Sequence, residues 1–253
     1  MTSVRRRTRR ALVGVAVVPI AAVALLGTEV QLARRGPDLA DDTPLDHDGR
    51  VGGPGPALRM VWLGDSTAAG VGASDAAHAI PRRVASAVGR PVDLTSLAVS
   101  GDRIADVERD QLPDVAALHP DVVLISIGAN DVVHLTSRAD FRHTYPRVLA
   151  ALPDDALVVI LGVPDMGAPP RLAQPLRAIA GFRGRELDEE SRALALVNRA
   201  VYVDIAGETG PTMRSDTGRY FAADHYHPSD DGYALWARAV VDQLTPALEE
   251  KVA

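Results

Sequence analysis

Between positions 122 and 127 the chain reads Val-Val-Leu-Ile-Ser-Ile, a run of β-branched and leucine residues broken only by Ser126. A short apolar run of this kind is a buried β-strand. Shorter strand signals stand at Leu58–Leu63, Val92–Ala98, Leu157–Gly162 and Val201–Ile205. Between and after them lie helical patterns over Ala76–Val88, Ile104–Leu112, Ala139–Leu152, Glu186–Arg199 and Asp230–Leu248. Strands alternating with helices predict an α/β fold with a central parallel sheet of about five strands and helices on both faces. In such sheets, ligands bind beyond the carboxyl ends of the strands. Ser66, Gly101 and Asn130 follow the first three strands directly, so topology alone places them at one edge of the sheet.

A chain of 253 residues accommodates one such domain plus a short additional segment. We divide it into an N-terminal signal anchor or signal peptide (1–33), a flexible linker (34–57) and a catalytic domain (58–253). The linker assignment rests on a stretch rich in Pro, Gly and Asp without apolar periodicity. The first 36 positions hold seven of the 27 basic residues and only one acid, Glu29, which leaves a strongly acidic body. An acidic body argues against nucleic-acid binding. The basic cluster, Arg5 to Arg10, precedes 17 uncharged residues from Ala11 to Gly27. That pattern predicts a membrane anchor with the arginines in the cytoplasm and the domain outside, or a cleaved export signal with a secreted product. Thr8-Arg9-Arg10 also permits a twin-arginine signal. With no cysteine in the chain, a thiolate nucleophile and cysteine-ligated zinc are both excluded.

Four short segments carry candidate chemistry. Ser66, in Gly64-Asp65-Ser66, supplies a hydroxyl at a strand end, where a following helical turn would favour developing negative charge. The same residue type also caps helices. Asp224-His225-Tyr226-His227 supplies a base: the His227 imidazole can take a serine proton and return it to a leaving alcohol. Asp224 can accept the other ring N–H and set the tautomer, and a helical turn would put both side chains on one face. His225 should point elsewhere. A metal site built on Asp224, His225 and His227 lacks a further ligand cluster, so no metal is expected. The Ser66 and Gly101 N–H groups and the Asn130 amide are candidate donors to an oxyanion. Asp65 and Asp131 read as loop braces. Met166 and Tyr226 are candidate substrate contacts. Apolar residues Met166, Leu172, Leu176, Ile179 and Phe182 could line an acyl pocket or pack a helix on the sheet.

In order and spacing these segments resemble the SGNH hydrolase superfamily, the GDSL lipases and esterases. Leu63-Gly64-Asp65-Ser66 is similar to the first block of that family. Ala98-Val99-Ser100-Gly101 is similar to the second, with Leu97 where members often have Asn. Ile127-Gly128-Ala129-Asn130-Asp131 matches the third. Asp224-His225-Tyr226-His227-Pro228, followed by Gly232-Tyr233, matches the last. The segment Thr67-Ala68-Ala69-Gly70 departs from the common pattern. The resemblance spans about Leu58 to Leu248. It implies a flavodoxin-like three-layer α/β/α fold, no cofactor and a serine acyl-enzyme mechanism. The catalytic residues would be Ser66, Asp224 and His227, with Ser66, Gly101 and Asn130 forming the oxyanion hole. The expected activity is hydrolysis of carboxylic esters of lipid, lysophospholipid or acetylated-glycan type. An acyltransferase using the same residues and a non-catalytic envelope-binding domain are the alternatives.

Overall fold

The computed structural model describes residues 25–33, 35–37, 39 and 45–252. Most of the expected anchor, residues 1–24, lies outside the described residues. No helix among the described residues is long and apolar enough to cross a membrane.

Six strands form one sheet: β1 (Gly49–Val51), β2 (Leu58–Gly64), β3 (Val92–Ser96), β4 (Val122–Ser126), β5 (Leu157–Leu161) and β6 (Val201–Val203), in the order β1-β3-β2-β4-β5-β6. Strands β2 to β6 are all parallel, with Met60 opposite Val122, Val122 opposite Leu157 and Val159 opposite Val201. This is the five-stranded doubly wound sheet the alternation predicts, in flavodoxin order. To it β1 adds an antiparallel edge against β3. The segment read as a flexible linker therefore ends in structure. His47 is also buried there, bonded through Nε2 to the Ala69 carbonyl at 2.8 Å.

Side chains alternate across the sheet with period two. Met60, Trp62 and Leu124 face one layer, made by α1 (Ile80–Ala87) and α6 (Asp230–Val252) and including Ile80, Val84, Tyr233, Trp236 and Val240. Val61, Leu63, Val123 and Ile125 face the other, made by α3 (Arg138–Ala150), α4 (Leu176–Val197) and the helical stretch 104–118. Every residue of β4 is buried, because both of its faces are covered. Each large aliphatic side chain so buried contributes roughly 1.5–3 kcal/mol.

Several boundaries differ from expectation. Helix α1 starts four residues late: residues 76–78 form a turn, and Pro81 occupies the first helical turn, where its missing N–H costs nothing. The stretch at 104 is four short pieces, with a π-turn at Val107–Gln111 before an α-turn at Leu112–Val115 that carries Pro113. Helix α4 begins at Leu176 rather than Glu186, with Pro175 at its N-cap. Strand β6 stops at Val203, and Ile205 opens a helix not expected from sequence, α5 (Ile205–Ser215), capped by Asp204 accepting from Gly207 N at 2.7 Å. Gly207, Gly210 and Pro211 lower its intrinsic helix propensity, which hides it from a sequence reading.

Candidate active site

Strand order reverses between β2 and β4, which opens a crevice at their carboxyl ends. Gly64 closes β2 with φ +144°, and a Cβ there would stand 1.9 Å from the Ser126 carbonyl oxygen. Only glycine lets the two strands approach this closely. Asp65 N then donates to that same carbonyl at 3.1 Å. The Asp65 carboxylate turns inward and accepts from Thr67 N (2.9 Å) and Thr67 Oγ1 (2.8 Å), while Thr67 Oγ1 also bonds Ser126 Oγ at 2.8 Å. Overlapping turns follow, with Ala69 N donating to Asp65 O and Val71 N to Ser66 O, both at 2.9 Å, and no regular helix begins until Ile80. The helix-terminus contribution at Ser66 is thus limited to these turns. Ser66 itself is buried.

The Asp/His segment is a closed loop rather than a helical turn. Ala222 N donates to His227 O at 2.8 Å, and Phe221 pairs with Pro228 as an isolated antiparallel bridge. Asp224 Oδ1 accepts from Tyr226 N (3.0 Å) and His227 N (3.1 Å), an Asx-type turn that curls the chain back. His227 Nδ1 stands 2.5 Å from Asp224 Oδ2, and His227 Nε2 stands 3.0 Å from Ser66 Oγ. Burial pushes the Asp224 carboxyl up, but the hydrogen bond and charge of His227 and the two backbone N–H groups outweigh it and hold Asp224 below its ordinary range. His225 has φ +59° and is exposed, its carbonyl accepting from Arg171 N at 3.0 Å.

Asn130 lies in the short helix α2 (Ala129–Val133), entered through Gly128 at φ +122°, where a Cβ would meet Val163 Cγ2 at 2.6 Å. Its Nδ2 donates to the Asp102 carbonyl at 3.2 Å, which ties the loop after β3 to the loop after β4 and leaves a second amide hydrogen to spare. Gly101, at φ +94°, sits between Ser100 and Asp102 in the tied loop. Among the described residues, the backbone N–H groups of Ser66 and Gly101 donate to no protein acceptor. Asp131, fully buried, accepts from Ile104 N at 3.1 Å and so braces α2 against the stretch at 104.

One residue that sequence reasoning passed over organises the site from beneath. Gln111, buried in the π-turn, accepts from Gly64 N and donates to Gly64 O, both at 2.8 Å, and also donates to Asp102 Oδ2 at 2.8 Å. It satisfies the end of β2 like an additional strand and joins it to the Gly101 loop. Nothing in its local pattern signals this, because its partners lie far away in the chain.

Ser66, Asn130, Met166, Tyr226 and His227 line one narrow cavity of about 40 Å³. Asn130, Tyr226 and His227 also line a second, larger groove of about 520 Å³ with Leu172, Leu176 and Ile179. Both expected substrate contacts therefore border cavity space, and Tyr226 borders both cavities while its ring stands edge-on to His227 at 5.1 Å. Its hydroxyl is buried without a partner, and burial, with the nearby Asp65 and Asp224 charges, pushes the phenol pKa up. Phe182 lines neither cavity and is 57% exposed.

The model of the GDSL-like lipase/acylhydrolase family matches residues 62–235. The GDSL-like esterase Rv1075c of Mycobacterium tuberculosis is 32% identical over 202 residues, which is 77% of this chain. The match spans 64% of that relative's length. The lipase/acylhydrolase from Enterococcus faecalis superposes with a TM-score of 0.60 at 22% identity, over 75% of this chain and 96% of that one. An acetyl xylan esterase from Geobacillus stearothermophilus does so with a TM-score of 0.60 at 20% identity, over 75% and 95%. The extracellular lipase from Streptomyces rimosus gives 0.57 at 20% identity, over 74% and 100%. At such identities the likeness to the solved structures is one of fold.

Proposed function

The chain belongs to the GDSL-like lipase/acylhydrolase family, and from that premise we propose that it is a serine esterase, exported or held at the membrane by its N-terminus, that cleaves carboxylic esters through an acyl-enzyme. The observation that carries this reading is the hydrogen-bonded line Ser66 Oγ, His227, Asp224, at 3.0 and 2.5 Å. His227 Nε2 takes the Ser66 proton as Oγ attacks the acyl carbon. Asp224 holds the Nδ1–H tautomer and stabilises the imidazolium that forms. The oxyanion receives the unused N–H groups of Ser66 and Gly101 and the spare Asn130 hydrogen, each such donor being worth about 10²–10³ in rate. His227 then protonates the leaving alcohol, and water repeats the sequence to release the acid. The substrate class is a lipid, lysophospholipid or acetylated-glycan ester. Export is supported by the arginine cluster and the apolar run behind it.

The test uses the full chain in mild detergent with p-nitrophenyl esters of graded acyl length. Ser66→Ala is expected to lower kcat by at least about 10³-fold while leaving the circular dichroism spectrum intact. Equal rates from the two proteins would remove Ser66 from the chemistry.

A further inference from the structure

Resting on the esterase reading, we propose that Val30, Ala33 and Leu39 belong to the substrate site: the helix at 25–33 and the described residues after it form one wall of a groove that takes the alkyl chain of the ester. The larger groove is lined by Val30, Ala33 and Leu39 together with Leu172, Leu176 and Ile179. Its volume of about 520 Å³ is that of a small-molecule site. It is continuous with the chemistry, because Asn130, Tyr226 and His227 border both it and the 40 Å³ cavity at Ser66. An ester seated at Ser66 therefore has room for one small substituent in the cavity and one long one along the groove. Apolar side chains left at the groove in water, Leu135 at 67% exposure and Val133 at 50%, fit an apolar occupant.

The wall is fastened, not merely adjacent. The Glu29 carboxylate is buried and accepts from Leu176 N at 2.9 Å, the first helical N–H of α4, whose own N-cap Pro175 offers no side-chain acceptor. A carboxylate at a helix N-terminus is favourable with both the free N–H groups and the helix dipole. On the other side Arg171 donates to Ala33 O at 2.6 Å, to Pro37 O at 2.8 Å and to Asp224 O at 3.4 Å. One guanidinium thus joins the wall to the loop that carries Asp224 and His227. Two separate fastenings set the width of the groove beside the catalytic imidazole.

The experiment compares kcat/KM in the full-length chain for a long acyl group (p-nitrophenyl decanoate), a long alcohol (decyl acetate) and the short reference p-nitrophenyl acetate. Ala33→Trp fills the groove. Each methylene denied burial is worth about fourfold, so at least one long-to-short ratio is expected to fall by about tenfold or more. The ratio that falls identifies which end of the ester the groove holds. Glu29→Ala, which releases the wall, is expected to lower the same ratio, and Glu29→Gln, which keeps an acceptor for Leu176 N, to retain it; this pair carries the test should Ala33→Trp fold poorly. Both ratios staying within about twofold of wild type in Ala33→Trp and Glu29→Ala would overturn the proposal. Absence of any ester hydrolysis by the wild type would sink the esterase reading instead. The groove is then read by titration with a fluorescent long-chain fatty acid: weaker binding by Ala33→Trp supports the wall, and equal binding refutes it.

Discussion

Asp65 stands next to Ser66, and its carboxylate accepts from Thr67 N and Oγ1; no ion pair to it forms among the described residues. Burial pushes its carboxyl up to about 6, against the pull of the Thr67 hydrogen bonds, from an ordinary 3.8. The folded chain therefore keeps this proton to higher pH than the unfolded chain does. Between about pH 4 and pH 6 the unfolded state loses the proton first, so stability falls as pH rises through that window, by about 3 kcal/mol in total. Asp65→Asn keeps an oxygen acceptor for Thr67 and removes the ionisation. We expect its stability advantage over wild type, read from urea midpoints, to grow from pH 4 to pH 7; a constant difference would mean that Asp65 does not hold its proton. The same neighbourhood shows how far single residues could be read from sequence. The roles of Asp65 and Asp131 as braces are visible in their bonds to Thr67 and Ile104. Asn130 bonding Asp102 O was not foreseeable, because that contact requires two loops to meet.

At the level of elements, the π-turn at Val107–Gln111 places one side chain against the end of β2. Such wide turns recur at functional sites, where they re-aim a residue without ending the helix. Gln111→Leu has similar bulk but leaves Gly64 N unpaired in the interior, at about 1–3 kcal/mol, while Gly64 O keeps the Val99 N–H at 3.1 Å. The variant should lose roughly 1–3 kcal/mol of unfolding free energy, with a fall in kcat as Ser66 loses its platform. A variant as stable and as active as wild type would show Gln111 to be incidental. The strands were legible because a residue pattern of period two, or an unbroken apolar run, survives inspection of six or seven positions. Helix α5 was not, since Gly207, Gly210 and Pro211 disfavour it locally and packing of Ile205 and Met213 against the α6 layer, with the Asp204 cap, stabilises it. Likewise, β1 is three residues in a Gly- and Pro-rich segment, and pairing with β3 makes it a strand.

For the whole molecule, the doubly wound order brings the loops after β2, β3 and β4 to one edge, and α6 presents its preceding loop to the same place. The apolar run 11–27 runs in sequence into the groove wall at 25–33, so anchoring and the groove are tested together. The expected outcome is that the native protein sediments with membranes and keeps its N-terminus by terminal sequencing; a soluble product beginning beyond Gly27 would refute anchoring. The amino-acid sequence on its own determined the five parallel strands, through apolar runs that must be buried on both sides, and the candidate set Ser66, Asp224 and His227, through residue type and order. Tertiary structure alone decided that Gln111 underpins Gly64 from 47 positions away and that Glu29 caps α4 from 147 positions away. The reason is range: periodicity and turn chemistry act over a few neighbours, whereas a hydrogen bond between distant residues exists only once the core has folded and brought them together.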